Sequence, residues 1–191
     1  MNLNKEIEQL VVALSEDPYC PEKNLNVAVE YERLGQTASA VSFYLRAAEY
    51  GYKTHMDLTY AALIKVASCI DRQTGRGLTV SNSLLQAVEY LPGRPEAYWA
   101  LSVFYERAGQ WQESYTYASL SLTYNRQVFE LPVDVGYRDW YSATFQKAVA
   151  AWWIGRKSES LAALRKLSID EKCPELYKKA AKDNLNRLDT N

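Results

Sequence analysis

The stretch that decides the fold is RPEAYWALSVFYERAGQWQESYTYASLSL, Arg94–Leu122. Tyr98, Leu101, Ser102 and Tyr105 follow Y-x2-L-S-x2-Y spacing, and Gly109 comes four residues later. A second apolar run carries Trp111, Tyr115, Ala118 and Leu122. Both halves have helical spacing, and Ala108-Gly109-Gln110 separates them. A pair of helices this short cannot bury its own apolar face, so it needs copies of itself on either side.

The copies are present. Asn24, Val27, Ala28 and Tyr31, with Gly35 four residues on, share the frame of the first helix, and Ala40, Tyr44 and Ala47 share that of the second. On these residues the chain resembles the tetratricopeptide repeat (TPR) family, whose 34-residue unit reads W-x2-L-G-x2-Y…A-x3-F…P. Gly75 and Gly109 lie 34 residues apart, one unit; Gly35 and Gly75 lie 40 apart, and Gly109 and Gly155 lie 46 apart. After Gly75, Val80, Leu84, Ala87 and Pro92 keep register, whereas the preceding helix, with Ile64, Ala67, Ser68 and Asp71, matches poorly. Ala148 and Ala151 precede Gly155, and Ser160, Leu164 and Leu167 follow it.

The predicted fold is therefore all-α: a TPR-like α-solenoid of antiparallel helix pairs, a single domain over 1–191. Repeats are placed at about 21–54, 55–94, 95–128 and 141–174, with terminal helices at 3–15 and 174–188. Leu3, Ile7, Leu10, Val11 and Leu14 form the stripe of the first helix. The last helix is backed by Lys178, Lys179, Lys182 and Arg187, as suits the shielded end of an array. The slip of twelve places an inserted loop at about 127–140. Pro132 and Gly136 interrupt helix there, and Leu131, Val133 and Val135 make it unusually apolar, so it is expected to lie against the body.

Composition narrows the function. The 191 residues carry 22 Lys and Arg against 23 Asp and Glu, a net charge of −1 that gives no general attraction to nucleic acid or an acidic membrane. No apolar run approaches the ~18–20 residues of a membrane span, and the first residues lack a signal-peptide core. Cys20, Cys69 and Cys173 are far apart and without C-x-x-C spacing, which reads as reduced thiols and a cytoplasmic location. No metal, cofactor or catalytic residue is expected. His55 is the lone histidine and reads as a solvated linker residue, and Thr74-Gly-Arg-Gly77 reads as a turn, lacking the phosphate-cradle motifs.

The TPR resemblance implies a binding face. In such arrays the first helix of each pair lines the concave surface, and the residue after the first aromatic of the pattern points there. Carried over, the face is Leu25, Val29 and Glu32 in repeat one, Trp99, Val103 and Glu106 in repeat three, and Phe145, Val149 and Trp152 in repeat four, with Arg33 and Arg107 flanking. Each set is spaced i, i+4, i+7, one face of a helix. Family grooves that clamp an acidic C-terminal peptide use Lys and Asn at such positions. Apolar residues here favour an amphipathic helix or an extended apolar peptide. Alternatively, the chain's own 127–140 loop or terminal helix covers the stripe.

The expected role is a protein-interaction scaffold with a protein or peptide partner, not an enzyme. An alternative arises from Tyr137–Tyr141 and Ala150–Gly155, which resemble TPR segments accompanying bacterial and phage sugar-transfer enzymes; it implies an accessory module with such an enzyme as partner. RNA binding by helical repeats is opposed by the even charge and by Glu32 and Glu106.

Overall fold

Three turn glycines end a helix in the same way. The Gly35 N–H donates to Glu32 O and the Gln36 N–H to Tyr31 O, both at 2.9 Å. Gly109 and Gln110 repeat the two bonds onto Glu106 and Tyr105; Gly155 and Arg156 repeat them onto Trp152 and Ala151. The three glycines have φ of +72°, +70° and +81°, a left-handed conformation open to them for want of a Cβ. This pair of bonds satisfies carbonyls that a helix end otherwise leaves bare, and it turns the chain into the next helix.

The computed structural model describes residues 3–73, 75–124 and 130–188. Among them are ten α-helices and no strand: α1 (Leu3–Glu16), α2 (Pro21–Arg33), α3 (Thr37–Gly51), α4 (Met56–Asp71), α5 (Gly77–Tyr90), α6 (Pro95–Arg107), α7 (Trp111–Tyr124), α8 (Trp140–Trp153), α9 (Lys157–Ile169) and α10 (Glu175–Leu188). Pro21 and Pro95 each open a helix, where the missing N–H costs nothing. No described helix is long and apolar enough to cross a membrane.

The chain forms two compact units. Unit 1 comprises Met1–Pro92 with Phe129–Val135, and unit 2 comprises Gly93–Val128 with Gly136–Asn191. In unit 1, α1 to α5 pack each on the next, and α2 also adjoins α4. In unit 2, α6 to α10 do the same; α6 adjoins α8 and α8 adjoins α10. The repeat pattern explains why. Ala40, Val80, Ser114 and Ser160 occupy one small position of the second helices, and Tyr44, Leu84, Ala118 and Leu164 the next turn; all eight are buried. Small side chains let the paired helices approach closely, and the contact between first helices sets their outward faces side by side.

The irregular spacings have separate causes. The slip of six is spread over the second repeat: α4 has 16 residues where α2 and α6 have 13, α3 has one residue more than α5, and the chain between α4 and Gly75 is longer by two than that before Gly109. The slip of twelve precedes α8. Residues 127–129 of the expected loop lie outside the described residues, as does Thr74. The loop ends at Asp139, whose carboxylate accepts from the Trp140 N–H at 2.5 Å and caps α8. Asp139 holds a positive φ of +128°, so this junction is strained.

Among α8, α9 and α10, Ala148, Leu164, Leu167, Cys173 and Ala181 form a buried cluster, with Tyr141, Phe145, Tyr177 and Leu185 packed on it. The terminal helix thereby closes the open face of the last pair.

Candidate functional site

The first helices of unit 2 carry most of the expected face. Trp99, on α6, lies under the chain's own loop. A Cβ on Gly136 would stand 3.4 Å from Cη2 and Cζ3 of the indole, and the Tyr137 ring meets it edge-on with centroids 5.9 Å apart. A Cβ there would be in ordinary contact with the ring, so it is the positive φ of +89° that favours glycine at this position. Burial and the charges of Asp139 and Glu96 push the Tyr137 hydroxyl above its ordinary value. Below the loop, Arg94 and Glu96 form a buried ion pair at 2.6 Å.

Farther along the same helices the face opens. Val103, Val149 and Trp152 are half-buried, and Arg107 is exposed beside them, its Nε 3.5 Å from Val103 O. The Lys157 ammonium sits 4.6 Å from the Trp152 ring centroid, within cation–π range. Glu106 accepts from the Gln146 amide of α8, linking the two first helices. Phe145, in the N-terminal half of α8, is engaged edge-on by Tyr177 of α10 at 6.0 Å and lies against the terminal core.

In unit 1 the four expected residues fare differently. Leu25 is buried at 3 % exposure on a helix that packs against α1, α3 and α4, whereas Val29 is exposed. Arg33 forks onto Glu30 at 2.7 and 2.6 Å and reaches Glu6 of α1 at 3.1 Å. Glu32 accepts from the Tyr44 hydroxyl at 2.6 Å and pairs with Lys65 and Arg72 of the α4 end, each at 2.7 Å. Burial alone would push its carboxyl up. The hydrogen bonds from Lys65 and Tyr44 and the charges of Lys65 and Arg72 outweigh that and hold it below the ordinary carboxylate range. The nearby Cys69 thiol is pushed up to about 11 by burial and by the Glu32 charge.

The remaining sequence candidates are structural in this conformation. His55 is not a freely solvated residue: its Nε2 lies 2.6 Å from Glu22 and its Nδ1 2.8 Å from Thr54 Oγ1, where it precedes α4. Among the described residues no group of three or more His, Cys, Asp or Glu is arranged to hold a metal ion. The three cysteines are unpaired. Aromatics behind the sugar-transfer resemblance pack on rings elsewhere in unit 2: Tyr141 on Tyr177 with centroids 4.9 Å apart, and Trp153 stacked on Trp111 at 5.1 Å. Trp153 nevertheless keeps 61 % of its surface exposed.

No protein-family model and no curated protein matches the sequence. Solved structures do match. PilW, a widely conserved type IV pilus biogenesis factor, superposes with a TM-score of 0.69 at 19 % identity, over 91 % of this chain and 72 % of PilW. TTC0263, a thermophilic TPR protein in Thermus thermophilus, gives 0.63 at 15 % identity over 94 % and 88 %. YrrB, a TPR protein with an unusual peptide-binding site, gives 0.62 at 16 % over 95 % and 84 %. The chain has a TPR-like fold. Its departures from the TPR pattern are local and physically answered. Asn24 stands at the first aromatic position, fully buried, and its amide donates to Pro18 O at 3.0 Å and Cys20 O at 2.9 Å, tying the entry loop to α2. The poorly matching α4 supplies Lys65, and Arg72 follows it, the two counter-charges of Glu32.

Proposed function

We propose that this TPR-like chain is a protein-interaction scaffold, and that the α6–α8 face of unit 2 receives a helix or extended peptide of its partner. The observation that carries the reading is the contrast along that face. Toward the N-terminal ends of α6 and α8 it is engaged by the chain's own Tyr137 and Tyr177, while Val103, Val149 and Trp152, farther toward the C-termini, keep surface in solvent. Apolar residues at helical spacing, flanked by Arg107, suit an apolar or amphipathic segment better than an acidic tail, because the lysine and asparagine donors of an acidic-tail clamp do not stand at these positions. The carboxylate of Glu106 is engaged by Gln146 and orders the two helices rather than presenting a free charge. In unit 1 the corresponding role falls to Val29, since Leu25 is enclosed and Glu32 and Arg33 are held in ion pairs. The role is binding, with no catalytic residue assigned.

Peptides selected by display on the full chain test the reading. Their Kd is expected to weaken about tenfold or more, roughly 1.4 kcal/mol, in Val149→Asp and in Trp152→Ala. Leu176→Asp, at a residue 74 % exposed on α10, should leave it unchanged. Thermal melting confirms that the variants fold. Affinity unaltered in both folded variants would refute the site.

A further inference from the structure

The second helices of unit 1 carry a feature that the repeat does not require. Leu45 and Glu49 on α3 recur 40 residues later as Leu85 and Glu89 on α5, the same interval that separates Gly35 from Gly75. Within each helix the two are four apart and share a face. At the equivalent positions of α7 stand Ser119 and Thr123, so packing of the pair does not demand leucine and glutamate there.

The leucines are not core residues: Leu45 is 47 % and Leu85 39 % exposed. Between α3 and α5 runs a groove of about 620 Å³ floored by Ala48, Thr59 and Leu63. The Tyr52 and Tyr90 rings, with centroids 4.9 Å apart, close one end, and the Tyr90 hydroxyl donates to Tyr52 O. Glu49 and Glu89 stand among the lining residues, none of which is Lys or Arg, and among the described residues neither carboxylate is in an ion pair. An apolar floor with two unneutralised carboxylates along it is complementary to a segment whose apolar side chains are flanked by cations.

We infer that this α3–α5 groove is a second docking surface, for a partner peptide that places leucine-like side chains against Leu45 and Leu63 and lysine or arginine beside Glu49 and Glu89. It lies on the second helices, away from the first-helix residues of the scaffold proposal, and stands independently of it.

The test uses the full chain and a labelled amphipathic Leu/Lys peptide, with a Leu/Glu peptide of identical pattern as the comparison. The Leu/Lys peptide is expected to bind, roughly fivefold more weakly to Glu49→Gln/Glu89→Gln at low salt and roughly fivefold more weakly to Leu45→Ala. Glu113→Gln/Glu171→Gln, which removes the same net charge at exposed sites elsewhere, should bind like wild type. The substituted side chains are exposed, and circular dichroism checks that each variant is folded. The inference is overturned by absence of Leu/Lys binding, by equal binding of the Leu/Glu peptide, or by equal weakening in the Glu113/Glu171 control. It is also overturned if sedimentation shows the wild type dimerising through a surface that Leu45→Ala abolishes, which would make a second copy the occupant.

Discussion

Glu32 joins three helices of unit 1 through one carboxylate. Its partners Tyr44, Lys65 and Arg72 lie 12, 33 and 40 residues away, so no short-range spacing in the sequence announces them. Helical periodicity set Glu32 on the same stripe of α2 as Leu25 and Val29, and for that reason it read as a groove residue. What periodicity cannot show is the cation that another helix brings to it. A carboxyl held below its ordinary value of 4.5 stabilises the fold above that value and loses the contribution as pH falls through the folded value. Glu32→Gln should therefore cost about 3 kcal/mol at pH 7, because Lys65 and Arg72 are left without their anion. Urea melts at pH 7 and pH 3 check this: the gap to wild type is expected to close at the lower pH, and an equal gap at both would contradict the assignment.

At the scale of elements, the helix ends were the most legible part of the chain. Gly35, Gly109 and Gly155 each had to follow their helix at a fixed interval, because the turn needs a left-handed residue there. Open space surrounds the point where a Cβ would stand on Gly109, so Gly109→Ala isolates the backbone cost. Chemical denaturation should show a loss of about 1–2 kcal/mol, and an unchanged midpoint would mean that the turn relaxes without strain. The loop before α8 was legible only as apolar chain. Its pairing with Trp99 rests on Gly136, whose positive φ turns the chain beside the indole, and on Tyr137, which the sequence marks as one aromatic among many. Tyr137→Ala should raise the fraction of tryptophan fluorescence quenched by acrylamide, and the rise should vanish in a Trp99→Phe background. A rise of the same size in that background would place the exposed indole elsewhere.

For the molecule as a whole, the repeat was readable because every pair buries the same two positions of its second helix, one turn apart. Ala40, Ser114 and Ser160 satisfy the same steric demand with different chemistry, so the fold persists where a strict motif fails. Which parts of the outward face stay open depends on loop and terminal segments outside the repeat pattern, and periodicity therefore marked Trp99 and Phe145 as alike with Val103 and Val149. The account's central claim is that the partner sits on the open C-terminal part of the α6–α8 face. Amide hydrogen exchange of the full chain, with and without a display-selected peptide, tests it most directly. The account predicts slowed exchange centred on α6 and α8 around Val103 and Val149, with the α7 and α9 backbones unchanged. Protection confined to α7 and α9, or absent from unit 2 altogether, would contradict it.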